Sequence, residues 1–112
     1  MPATKYPTLA ERKAARVAEI RQALGALRQR LSDYAQAHGG RYLLYGSAAR
    51  DAPRYDSDVD LLVDFPPETQ SDAWRFAEDA CWDLKLEPDI TPASWCKPEF
   101  LERVRKEAVT IG

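Results

Sequence analysis

Residues 41–65 read RYLLYGSAARDAPRYDSDVDLLVDF, and the plan of the fold is contained in them. Arg41-Tyr42-Leu43-Leu44-Tyr45 is short, aromatic and apolar, the composition of a strand, and Gly46-Ser47 breaks it. Residues 48–52 fit a brief helical turn that stops at Pro53, followed by the polar loop Arg54, Tyr55, Asp56, Ser57. Residues 58–65 are rich in Val and Leu and predict a second strand, terminated by Pro66-Pro67.

Toward the N-terminus, Thr8 and Glu11 have the spacing of a capping box, in which each side chain bonds the other's free backbone N–H, so a helix starts near Leu9. Val17, Ile20, Leu24, Leu27, Leu31 and Tyr34 recur at intervals of three and four and form one apolar stripe on it. Gly39-Gly40 supplies the residue with positive φ that ends the helix, which leaves His38 in its last turn, a cap position rather than a catalytic one. Toward the C-terminus, Thr69 or Ser71 is expected to cap a helix running to about Lys85, with Ala73, Trp74, Ala77, Ala80, Cys81 and Leu84 on one face. Residues 86–91 predict a third strand, which tolerates Pro88 at an edge or at its start. Pro98 fits the first turn of a last helix with Leu101, Val104, Ala108 and Ile111 inward. The expected class is α+β: a small mixed sheet flanked by helices, one domain over residues 1–112, with residues 1–8 a flexible lead.

Composition narrows the functions. Lys and Arg number 16 against 18 Asp and Glu, so the chain is no basic clamp for nucleic acid and direct DNA binding is not expected. The charge is unevenly spread: residues 51–89 carry 12 acidic side chains and three basic ones, whereas residues 11–30 are rich in Arg and Lys. The acidic middle calls for cations. Cys81 and Cys96 lie fifteen apart with a single histidine, which indicates neither a disulfide framework nor a zinc site, and both are expected as small buried hydrophobes. No apolar run reaches the roughly 20 residues of a membrane span, and the first residues lack a signal peptide's apolar stretch, so the expected location is cytoplasmic.

The sharpest chemical feature is Asp58-Val59-Asp60 at the head of an apolar strand. Side chains two apart on a strand share a face, and two carboxylates about 7 Å apart repel by roughly 2 kcal/mol at an effective dielectric near 20. Such a pair suits hard divalent cations, Mg²⁺ above all. The alternative places Asp58 in the loop and Asp60 at a solvated edge. A calcium loop starting at Asp56 is excluded, because its sixth position is Leu61 instead of Gly and its twelfth is Pro67 instead of Glu. Gly46-Ser47 ahead of a helical turn can form a phosphate cradle from backbone N–H groups and a hydroxyl, although Gly-Ser is also a common loop dipeptide. Arg50, one turn on, can neutralise a phosphate or face water.

Together, Leu44-Tyr45-Gly46-Ser47-Ala48-Ala49-Arg50 and Ser57-Asp58-Val59-Asp60-Leu61-Leu62-Val63 resemble the DNA polymerase β-like nucleotidyltransferase superfamily, and most of all its minimal nucleotidyltransferases, over the chain from about Val17. That resemblance implies a nucleotidyltransferase fold and a third carboxylate on the next strand. Here Asp89 fits, with Glu87 on the same face as the fallback. It implies two Mg²⁺ ions, with Mn²⁺ as a substitute, held by Asp58, Asp60 and Asp89, and ATP as substrate with its phosphates on Gly46, Ser47 and Arg50. Asp51 departs from the glycine common after that arginine and leaves the role of Arg50 open. The resemblance further implies a HEPN-domain toxin as hetero-oligomeric partner and an antitoxin that transfers AMP to a tyrosine of it. Two other readings stand beside this one: an antitoxin that acts by binding alone, and a nucleotidyltransferase for a small-molecule hydroxyl. The chain leaves no room for a separate acceptor-gripping domain, so the acceptor is expected from a partner or a second copy.

Overall fold

The computed structural model describes residues 8–46, 49 and 58–112, so the expected lead apart from Thr8, the expected helical turn at residues 48–52 apart from Ala49, Ser47 and Arg50 lie outside the described residues. Helix α1 (Leu9–His38) begins at the predicted capping box: Thr8 Oγ1 accepts from the Glu11 N–H at 3.1 Å and Glu11 Oε2 accepts from the Thr8 N–H at 3.1 Å. It ends at Gly39, whose φ of 72° is the left-handed conformation a side chain resists, with its N–H donating to the Ala35 carbonyl. His38 is the last helical residue, its ring stacked on Tyr34 with centroids 4.1 Å apart.

Strands β1 (Arg41–Tyr45) and β2 (Val59–Asp64) pair antiparallel, with Leu43 opposite Leu62 and Tyr45 opposite Asp60. Helix α2 (Pro67–Asp83) carries the chain back so that β3 (Pro88–Pro92) lies parallel to β2, Asp89 beside Asp60. After a 3₁₀ turn (Ala93–Trp95) and helix α3 (Pro98–Glu107), the chain closes with β4 (Val109–Ile111) antiparallel to β1. The strand order is β3-β2-β1-β4, a mixed four-stranded sheet in the expected α+β class. Both prolines of β3 sit on an edge strand, where a missing N–H costs no ladder bond.

The sheet is covered on both faces. On one, Tyr42, Leu44, Val59, Leu61 and Val63 pack against Ile20, Leu24, Leu27 and Leu31 of α1 and Ala73, Ala77, Ala80 and Cys81 of α2. The alanines keep α2 close to the strands, and the buried Tyr42 hydroxyl donates to the Ala73 carbonyl at 2.8 Å. On the other face, Leu43 and Leu62 meet Val104 of α3, with Tyr45, Cys96, Phe100 and Leu101 around them. Each aliphatic side chain fully buried this way contributes about 1.5–3 kcal/mol.

Several boundaries differ from the sequence expectation, and the third strand, expected over residues 86–91, runs over Pro88–Pro92. Helix α2 starts at Pro67 and not at a Thr69 or Ser71 cap, because proline preset at the first helical position needs no N–H there; it also stops at Asp83, two residues short of Lys85. The last helix ends at Glu107, so Ala108 and Ile111 are not on its inner face. Val-Thr-Ile instead adds a strand beside β1, where β-branched side chains fit the pleated surface and the edge of β1 gains a partner. Cys81 is buried as expected, but Cys96 is half-buried, its thiol 3.6 Å from the Pro92 carbonyl.

Candidate active site

The end of β1 and the beginnings of β2 and β3 meet at one end of the sheet, and the sequence candidates gather there. Asp60 and Asp89 occupy matched positions in the parallel β2–β3 ladder, so their side chains leave the same face next to each other. Asp89 is the nearest charge acting on the Asp60 carboxyl. Burial, then the charge of Asp89, the bond to it and the charge of Asp58 together push the Asp60 carboxyl up to about 6.

Asp58 stands one residue ahead of β2, exposed, and near enough for its charge to act on Asp60. The strand expected from residue 58 thus begins at Val59. Glu87 is exposed at the start of β3, and its backbone carbonyl accepts from the Val59 N–H at 2.8 Å. The structure therefore brings Asp89 to Asp60 and leaves Glu87 one pleat further out. Among the described residues, no three His, Cys, Asp or Glu side chains are gathered closely enough to hold a metal ion as they stand.

Gly46 ends β1 with a φ of 75°, and a Cβ placed there would collide with the Asp60 carboxylate. The glycine expected to admit a phosphate thus also makes room for the acid itself, since any side chain would push Asp60 out of line with Asp89. Ser47 and Arg50 lie outside the described residues.

Tyr45 was not singled out by the sequence reading. Its antiparallel register with Asp60 places it on the carboxylate face, with Phe100 of α3 edge-on at 6.0 Å. Burial, the charges of Asp60 and Asp89, and Cys96 push its phenol up to about 12, so it stays neutral near pH 7. The alternation of β1 carried the signal, but only the strand pairing shows which face holds the acids. Among the described residues, no helix is long and apolar enough to cross a membrane.

Residues 20–111 match the family model described as a nucleotidyltransferase domain. A solved structure, provisionally described as a minimal nucleotidyltransferase, is similar over 80% of this chain and 93% of its own, at 29% sequence identity and a TM-score of 0.62. No curated protein matches the sequence.

Proposed function

The chain belongs to the nucleotidyltransferase domain family, and we propose that it transfers AMP from ATP, in a metal-dependent reaction, to a hydroxyl group, namely a tyrosine of a partner HEPN-domain toxin. The observation that carries this reading is the pairing of Asp60 with Asp89 in the β2–β3 ladder, against Gly46 at the end of β1. A structural role does not explain that pair, because holding two carboxylates together costs stability. The donor set, the all-oxygen carboxylates of Asp58, Asp60 and Asp89 at one end of the sheet, is of the type hard divalent cations take, and the three would have to draw together around the ion. Asp58, Asp60 and Asp89 would hold two Mg²⁺ ions, which when bound supply charge neutralisation toward the triphosphate.

The chain's own groups do the remainder. Asp89 would help to take the proton of the attacking hydroxyl as its oxygen bonds to the α-phosphorus, while the bond from the α-phosphorus to the bridging oxygen breaks and pyrophosphate leaves. Gly46 would let the phosphates approach the backbone, with Ser47 and Arg50 holding their oxygens. Fixing the α-phosphorus in line with the hydroxyl accounts for most of the rate enhancement, since no covalent intermediate is required. The partner would supply the acceptor, and the reaction would serve as the antitoxin step of a cytoplasmic toxin–antitoxin pair.

A second reading, neutralisation by binding alone, is favoured by one observation: the described carboxylates are not gathered as a complete metal site. One experiment separates the two. The protein is incubated with labelled ATP and Mg²⁺, with and without the protein encoded beside it, as wild type and as Asp58→Asn/Asp60→Asn. Label on the neighbour that depends on both aspartates is the expected result. A stable complex without label, and neutralisation that survives the double substitution, would replace transfer by binding.

A further inference from the structure

Helix α1 carries Gly25, Arg28, Gln29 and Ser32 at a spacing that places them on one side of the helix, next to the buried stripe of Leu24, Leu27 and Leu31. Opposite them runs β4, an edge of the sheet with no strand beyond it among the described residues. Between helix and strand lies a cleft of about 410 Å³, a size that suits a small molecule, with Val109 and Ile111 on its strand side. It is separate from the paired aspartates, which lie on β2 and β3 beyond β1.

Arg28 is half-buried, and its Nε is buried without a hydrogen-bond partner. Arg16, Arg30 and Arg41 each meet a carboxylate, of Glu19, Asp83 and Asp64 respectively, whereas Arg28 enters no ion pair among the described residues. A buried guanidinium donor left unmatched is costly, and an oxyanion is the acceptor it matches best. Ser32 adds a second donor, because its Oγ accepts from Gln36 Nε2 at 3.2 Å and keeps its own proton to give. Among the described residues no Asp or Glu lines the cleft, so Arg28 is its one charged side chain.

Gly25 is a second, independent sign. It sits inside α1, where alanine would stabilise the helix, and its φ is not positive. A Cβ there would meet no atom within 4 Å, so packing does not call for glycine either. What the missing side chain does is keep the helix wall of the cleft open.

We propose that this cleft binds a small organic carboxylate, with its apolar body on Val109 and Ile111 and its charged group on Arg28 and Ser32. The fork of one guanidinium matches the two oxygens and the single charge of a carboxylate. A phosphate monoester would bring nearly two charges against that one arginine, in a chain of net charge −2.

The test is a titration of the isotope-labelled full chain followed by amide NMR, without nucleotide or metal, using 2-naphthoate, the uncharged 2-naphthamide and 2-naphthyl phosphate. Wild type is compared with Arg28→Gln and with Gly25→Leu, which fills the cleft from a position where nothing blocks the side chain and leucine favours the helix. Naphthoate is expected to give saturable shifts confined to the amides of residues 25–32 and 109–112, with a Kd of about 1 mM for a probe of this size. Binding should weaken about tenfold with naphthamide or with Arg28→Gln, and vanish with Gly25→Leu. The naphthamide comparison uses wild type alone, so it decides the need for charge whether or not a variant folds. Shifts that do not saturate, shifts centred on Asp60 and Asp89, naphthamide or naphthyl phosphate binding as tightly as naphthoate, or either folded variant binding like wild type would each overturn the proposal.

Discussion

Replacing Asp60 by asparagine should stabilise the metal-free protein at alkaline pH and leave its stability nearly unchanged in acid. The Asp60 carboxyl lies near 6 in the fold, against an ordinary value of 3.8, because burial, Asp89 and Asp58 all penalise its ionised form. A group whose folded value is raised contributes most below its unfolded value, and that contribution is lost as pH rises through the folded one. For Asp60 the loss therefore runs from about pH 4 to about pH 7. Some two units at 1.36 kcal/mol each would come to about 3 kcal/mol, but Asp60 is only half-buried and solvent screening reduces this to about 1 kcal/mol. Asparagine has the same shape, can hydrogen-bond to Asp89 and never ionises. Urea denaturation in EDTA at pH 4, 6 and 8 should show Asp60→Asn gaining about 1 kcal/mol at pH 8, or about 4 °C in Tm, and little at pH 4. A variant no more stable than wild type at pH 8, or a difference that does not vary with pH, would refute the assignment of strain to the paired carboxylates.

Three further outcomes follow from the packing. Gly46→Ala should destabilise by about 1–2 kcal/mol through its positive φ alone, and Asp60→Ala in the same chain should remove the added cost of collision while leaving that strain, as a double-mutant cycle would measure. Leu31→Ala, at a fully buried position between α1 and the sheet, should cost about 3 kcal/mol in chemical denaturation. Tyr42→Phe should cost about 1 kcal/mol, since it removes the bond to the Ala73 carbonyl without opening a cavity.

The placement of Asp89 has a consequence for the chemistry of the pair. Asp60 and Asp89 are 29 residues apart in the chain, and their contact depends on the length of α2 and on how its alanines seat it under the strands. A change that shifts α2 along the sheet would therefore disturb the β2–β3 register, and a slip of one residue would turn Asp89 to the opposite face. Small-to-large substitutions at Ala73, Ala77 or Ala80 are thus disruptive to the site as well as to the core.

Much of the molecule could be read from local signals. The capping box, the stripe of α1 and its glycine stop depend on residues within a few positions of each other, and β1 is bounded by glycines on both sides. The placing of Asp60 at the head of an apolar strand was legible for the same reason, whereas Asp58, expected inside that strand, stands just ahead of it. What the sequence could not reveal depended on contacts between distant segments. Val109–Ile111 is too short to display a period of two and becomes a strand only because β1 has a free edge beside it. The start of α2 was obscured because polar residues at positions 69 and 71 mimic caps, while Pro67 begins the helix through its fixed φ. The choice of Asp89 over Glu87 as the neighbour of Asp60, the place of Tyr45 on the acidic face, and the need for glycine at position 46 all follow from strand register. Register is set by burial on both faces of the sheet, a free energy summed over the whole core, and no single stretch of sequence carries that sum.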